Sequence, residues 1–259
     1  MKDKTILLNN GVDVDASLEL FGDMETYNET LNDFLESVFE KLEEIKKYKE
    51  AKDMPNYAIL VHSLKSDSKY LGFTKLAELS YQHELESKAN NLEFVLEHYD
   101  ELVNEANRVI NVVQKYLGEN VNAKEHSTNK TLENDFILIV DDSDIIRNFI
   151  QKIFKDQYEI MVAKDGKEAI DIISVADPNK VGGLFLDLNM PNIDGFQVLD
   201  YLKENNLFEV IPTSIITGDD SKEAIDRAFK YPIVDMLNKP FNKNNVKLVV
   251  EKTIASKSI

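Results

Sequence analysis

Two different hydrophobic rhythms divide the chain, and no single layer of secondary structure accommodates both. From about residue 12 to 118 apolar side chains recur at helical spacing: Leu31, Phe34, Leu35, Val38 and Leu42, then Leu92, Val95, Leu96, Leu102, Ile110 and Val113. Strand signals are nearly absent there. Asp53 followed by Pro55 reads as an N-cap with proline in the first turn, and Gly72 offers the same helix an end. Amphipathic helices interrupted every 20 to 30 residues pack as an antiparallel bundle rather than as a coiled coil. From Phe136 onward, short continuous apolar runs alternate with amphipathic segments. The runs are Phe136–Val140, Ile160–Ala163, Leu184–Leu186, Ser214–Ile216 and Val234–Leu237. Strands buried on both faces of a parallel sheet look like this. Five of them alternating with helices predict a doubly wound α/β domain.

Between the two rhythms, residues 118–134 are polar and aperiodic, which predicts a linker between a helical domain over 1–117 and an α/β domain over 135–259. The 259 residues suffice for two cores. With no cysteine, disulfides and thiolate metal sites are excluded, which fits a cytoplasmic location. A net charge of -17 argues against nucleic acid and anionic membrane as partners. No apolar run approaches the ~20 residues of a membrane span, and the N-terminus lacks the pattern of a signal peptide.

Ligands of an open parallel sheet bind beyond the carboxyl ends of its strands. Four predicted strands end there in polar chemistry: Asp141-Asp142, Asp187, Thr217 and Lys239. Each alone has an ordinary reading, as a helix start, a turn residue or a surface charge. Together they describe a site. Carboxylates ~5 Å apart repel by roughly 3 kcal/mol at an effective dielectric of 20, so the cluster calls for a cation, and hard oxygen donors favour Mg²⁺. Beside a metal, Asp187 is a nucleophile toward phosphorus, while Thr217 and Lys239 bind the remaining phosphoryl oxygens.

With VDDS, LDLNMPNIDG, ITG and NKPF in order, residues from about Phe136 to Ile254 resemble a response-regulator receiver domain. The resemblance implies a flavodoxin-like sheet of order 2-1-3-4-5 and phosphorylation of Asp187. It further implies Mg²⁺ held by Asp142, Asp187 and the backbone carbonyl of Asn189, with Asp141 supporting the metal, and an acyl phosphate sensed by Thr217 and Lys239. Two departures stand out. Met236 occupies the usual aromatic position three residues before the lysine, and Tyr231-Pro232-Ile233 replaces the usual glycine-containing turn. Tyr231 is a candidate substitute for the missing ring.

In the helical half the informative segment is HSLKSDSKYLG, His62 to Gly72. Tyr57, Val61, Leu64, Ser68 and Leu71 share a core-facing stripe, with His62 offset from it. Lys65, Ser66 and Lys69 follow on the histidine's side. The expected arrangement is an exposed neutral imidazole acting as nucleophile, with Lys65 and Lys69 favouring the dianionic product. His83, Glu84 and Glu86 are expected on a solvated face, and His98 in an exposed stretch. Residues 10 to 117 resemble a histidine-containing phosphotransfer (HPt) domain, which implies a four-helix bundle and phosphorylation of His62. Ser66 stands where the family commonly has glycine, and Asp67 is expected to add negative charge near a phosphate.

These readings converge on a phosphorelay intermediate rather than an enzyme. No glycine-rich phosphate loop is visible, so phosphate is expected from a separate histidine kinase or hybrid kinase, or from other receiver or HPt proteins. Output is expected through protein contacts, and Asp219 is a candidate for positioning water in slow dephosphorylation of Asp187. Two competitors remain: an interaction adaptor that uses both folds without phosphate, and a Mg²⁺-dependent hydrolase. The hydrolase is the weaker, because Asn189 occupies the place of its acid/base aspartate.

Overall fold

A computed structural model describes residues 3–118 and 135–257. They form two compact units. Apart from Gly118, the expected linker over 118–134 lies outside the described residues, as does His126.

The first unit is all helical: α1 (Thr5–Leu8), α2 (Val14–Phe21), α3 (Met24–Glu50), α4 (Met54–Tyr70), α5 (Thr74–Lys88) and α6 (Leu92–Leu117). Helix α4 packs on α3 and α5, and α6 packs on α5 and α3, closing a four-helix bundle. Its starts are chemically marked. The side chains of Asp23, Asp53 and Asn91 each accept from a backbone N–H in the first turn, and Pro55 occupies the start of α4. Gly72 ends α4 with φ 74, and a Cβ there would lie 2.3 Å from the Asp13 carbonyl oxygen. The same carbonyl region is tied back, since Asp13 N donates to Gly72 O at 2.9 Å. Only glycine serves both demands. The predicted stripe of Tyr57, Val61, Leu64, Ser68 and Leu71 is fully buried.

The second unit alternates β1 (Phe136–Val140), α7 (Asp144–Phe154), β2 (Glu159–Ala163), α8 (Gly166–Val175), β3 (Val181–Leu186), α9 (Gly195–Glu204), β4 (Thr213–Thr217), α10 (Lys222–Ala228), β5 (Asp235–Asn238) and α11 (Lys243–Ser256). All pairings are parallel and the order is β2-β1-β3-β4-β5, as expected. Strands β1, β3 and β4 are buried throughout, whereas the edge strands β2 and β5 are partly exposed. Strand β3 starts earlier than its apolar run suggested: Val181 and Gly183 pair with Phe136 and Ile137, the register shifts at Gly182, and neither glycine contributes to a hydrophobic pattern. The register places Val140 opposite Leu186, and Leu186 opposite Ile215. The residues that follow these strand ends therefore arrive at one edge.

Candidate phosphoryl-transfer sites

Parallel pairing continues one step past the strands and fixes the backbone of the α/β site. Asp141 N donates to Ala163 O at 3.1 Å, Asp187 N to Val140 O at 2.8 Å, and Lys239 N to Thr217 O at 2.8 Å. Lys239 Nζ lies 2.6 Å from Asp187 Oδ2 and 2.7 Å from Asp141 Oδ2. The side chains of Lys239, Asp187 and Asp141 are 3%, 0% and 2% exposed, so water does little to screen them. Asp142 joins Asp141 and Asp187 in a cluster whose ligand oxygens all lie within 4.8 Å of one another. Close approach by Gly195 shapes the floor: a Cβ there would sit 2.1 Å from the Asp187 carbonyl oxygen.

Burial pushes the Asp141 carboxyl up to about 6, against the pull of the Lys239 charge and helped by repulsion from Asp187. Burial disfavours the Lys239 ammonium, yet Asp141, Asp187 and Asp142 outweigh it and hold the lysine well above its usual range. Asp141 and Asp187 are buried and Asp142 is half-buried, so the three carboxylates beside Lys239 form an acidic, oxygen-only donor set. A hard divalent cation fits that set.

The other predicted residues sit close by. Thr217 closes β4, is 1% exposed, and its Oγ1 accepts from Asp219 N at 3.1 Å. Asn189 N donates to Asp187 Oδ1 at 3.2 Å. Asp219 is used in the following turn, accepting from Ser221 N at 2.9 Å. Tyr231 is committed elsewhere: its hydroxyl donates to Asp200 on α9 at 2.6 Å, and its ring lies 6.3 Å from Phe208. Arg147 on α7 escaped the sequence reading. Its guanidinium donates to the Asp141 carbonyl and to the Asp144 carboxylate, pinning the loop that carries Asp141 and Asp142. The only trace in sequence is the three-residue spacing from Asp144.

The helical unit corrects several expectations. His62 is 3% exposed rather than open to solvent, and its Nε2 is buried without a partner. Helix α4 is covered by α3 on one side and by α5 on another, so a residue offset from its apolar stripe still lies inside. Glu84 and His83, expected on a solvated face, are 3% and 1% exposed. Glu84 Oε1 lies 2.7 Å from His62 Nδ1, and Glu84 Oε2 accepts from Lys65 Nζ at 2.6 Å. Lys88 Nζ adds a third contact to Glu84 at 2.7 Å. Burial pushes Glu84 up, but the hydrogen bonds and charges of His62 and Lys65 hold it well below the usual carboxylate range. Because a carboxylate only accepts, Nδ1 carries the imidazole hydrogen in the neutral ring and Nε2 keeps the lone pair.

His83 Nδ1 shares a 2.7 Å hydrogen bond with the Tyr57 hydroxyl, and burial pushes the ring down to about 4. His98 is half-buried rather than exposed, its ring 4.3 Å from Phe94. Asp67, expected to face the phosphate, lies five residues past His62, about 140° round the helix. It pairs with Lys41 on α3 at 2.6 Å, and the same ammonium donates to Ser63 at 2.7 Å. Lys69 remains exposed on the surface.

Residues 137–251 match the family model described as the response regulator receiver domain, and residues 29–112 match that of the Hpt domain. The sensor histidine kinase TmoS of Ectopseudomonas mendocina is 28% identical over 121 residues, covering 47% of this chain and 12% of the relative. The two-component response regulator ORR5 of Oryza sativa subsp. japonica is 27% identical over 46% of this chain and 87% of its own length. Several bacterial relatives are matched over only 24 to 26% of their length. Among solved structures, the chemotaxis response regulator CheY4 of Vibrio cholerae is 26% identical, with 46% of this chain and 98% of that one covered at a TM-score of 0.42.

Proposed function

We propose that this chain, an Hpt domain joined to a response regulator receiver domain, is a phosphorelay intermediate that carries phosphoryl groups on His62 and Asp187. The observation that carries the reading is the pairing of two nucleophiles, each beside groups suited to a phosphoryl anion. Asp187 sits 2.6 Å from the Lys239 ammonium within an acidic cluster. His62 is oriented by Glu84 through Nδ1, which reserves Nε2 for reaction.

On the receiver, Asp187 attacks the phosphorus of an incoming phosphohistidine. The O–P bond forms as the N–P bond breaks, and its electron pair returns to the donor imidazole. Lys239 turns from the carboxylates to the new phosphoryl oxygens, and Thr217 donates its hydroxyl to another. Mg²⁺ held by Asp141, Asp142 and Asp187, with the Asn189 carbonyl, would neutralise the carboxylate excess and the developing phosphoryl charge. On the bundle, His62 Nε2 attacks the phosphorus of an acyl phosphate, whose carboxylate leaves with the electron pair. The Nδ1 hydrogen stays on the ring, donated to Glu84, so no proton has to be found elsewhere. Partners in this reading are a histidine kinase or hybrid kinase and other receiver or HPt proteins in the cytoplasm. No helix among the described residues is long and apolar enough to cross a membrane.

The burial of His62 Nε2 favours the second reading, a docking adaptor that never carries phosphate. Incubation with Mg²⁺ and a small phosphodonor, or with a phosphorylated partner, separates the two. Base-stable phosphate on His62, lost in His62→Gln, and hydroxylamine-sensitive phosphate on Asp187, lost in Asp187→Ala, are expected. A chain that takes phosphate at neither position is an adaptor.

A further inference from the structure

Two of the three carboxylates in the acidic cluster come from consecutive residues, Asp141 and Asp142, on the loop between β1 and α7. With no cation between them, carboxylates this close repel, and a loop can relieve the repulsion by turning a peptide group. Several contacts oppose that relief. Asp141 N donates to Ala163 O at 3.1 Å, and Asp141 Oδ1 accepts from Ser143 N at 3.0 Å. The Asp141 carbonyl lies in one rigid plane with the Asp142 N–H, so its direction sets how Asp142 leaves the chain. Arg147 holds that carbonyl. One guanidinium nitrogen donates to Asp141 O and another to the Asp144 carboxylate. Asp144 opens α7, where Ser143 Oγ accepts from Ile146 N at 3.3 Å, so the arginine ties the peptide after β1 to the first turn of the helix. The side chain is buried on a helix that otherwise buries Ile145, Ile146, Phe149, Ile150 and Phe154. A charge in that setting requires partners, and these two acceptors supply them.

We infer that Arg147 is a positioning residue for the cation: it holds the Asp141–Asp142 peptide in the orientation that keeps both carboxylates beside Asp187 before a divalent ion arrives. The inference rests on the reading of the acidic cluster as a Mg²⁺ site and adds the group that preorganises it. Coulombic attraction does not account for the arginine, because a fixed positive charge near the cluster opposes a cation. Geometry does. The planar guanidinium reaches two acceptors at once in a fixed relation, which the point charge of a lysine cannot do. Its bonds go to a backbone carbonyl and to Asp144, so it orders the donors without occupying the clustered carboxylates. Groups that orient metal ligands in this way commonly set affinity by about 10- to 100-fold.

Titration of the full chain with MgCl₂, followed by amide NMR shifts around Asp187 and Thr217, measures the affinity without any phosphoryl transfer. Arg147→Lys keeps the charge and loses the fork, whereas Arg147→Met loses both. Each is expected to weaken Mg²⁺ binding about tenfold or more. A role through charge alone gives a different pattern: wild-type affinity in Arg147→Lys and tighter binding in Arg147→Met. Either of those results overturns the inference. Hydrogen exchange of the metal-free protein tests the loop directly. The Ser143 amide, bonded to Asp141 Oδ1, should exchange about tenfold faster in both variants, while the Ile139 amide inside β1 keeps its rate. An unchanged Ser143 rate, or a parallel rise at Ile139 that marks general loss of stability, would also overturn it. A wild type that binds no Mg²⁺ sinks the reading of the cluster together with the inference. A wild type that binds it as tightly as both variants sinks the inference alone.

Discussion

Glu84 and His83 are adjacent in sequence and buried together, yet they meet opposite electrostatic fates. Glu84 has the partners that a buried charge requires, with the imidazole and two lysines around it. His83 has a phenol hydroxyl and the Phe94 ring at 5.5 Å, which suit only a neutral imidazole. Its folded form resists protonation, with the ring held at about 4, whereas the unfolded chain takes up the proton at an ordinary histidine value. The sign follows directly. Between those two values the unfolded state binds more protons, so this contribution is complete above the unfolded value and is lost as pH falls toward 4. Helical-unit stability is expected to drop by roughly 1–3 kcal/mol from pH 7 to pH 4.5 on this account. Denaturant melts of wild type and His83→Gln at both values check it, because the variant should lose that part of the slope.

At the scale of elements, the bundle depends on how α4 ends as much as on what it buries. Gly72 combines a left-handed backbone with van der Waals proximity to the Asp13 carbonyl, which docks the segment before α2 against the end of α4. Gly72→Ala is expected to destabilise the bundle by about 2 kcal/mol or more, since strain at positive φ adds to a backbone clash. Equilibrium unfolding of the helical signal measures this. At the start of the same helix, Asp53→Ala removes a single cap and should destabilise by about 1 kcal/mol. In the α/β unit the corresponding close approach is Gly195 against the Asp187 carbonyl, which joins the start of α9 to the residue proposed to carry phosphate.

For the whole molecule, two units with separate cores should answer a ligand separately. If Mg²⁺ binds the acidic cluster, calorimetry at about 100 times its Kd should show the α/β unit gaining about 2.7 kcal/mol. The helical transition should stay in place, and Asp142→Asn should abolish the gain. Sequence alone divides the chain into a helical and an α/β unit, because hydrophobic period is set by backbone geometry. It also determined the meeting of Asp141, Asp142, Asp187, Thr217 and Lys239. Parallel strands of matched register deliver the residues after their ends to one edge, so linear position becomes spatial position. Caps and turns such as Asp53 and Gly72 were legible for the same local reason. The environment of His62 was settled instead by helix packing. A helix wheel records angle about one axis, whereas burial depends on which neighbours arrive from other helices. Glu84 reaches His62 from α5, Lys41 draws Asp67 toward α3, and Lys65 Nζ comes within 3.3 Å of His62 Nδ1. Those contacts join side chains 22, 26 and 3 residues apart, and the two longer ones were fixed by bundle packing, which no local pattern encodes.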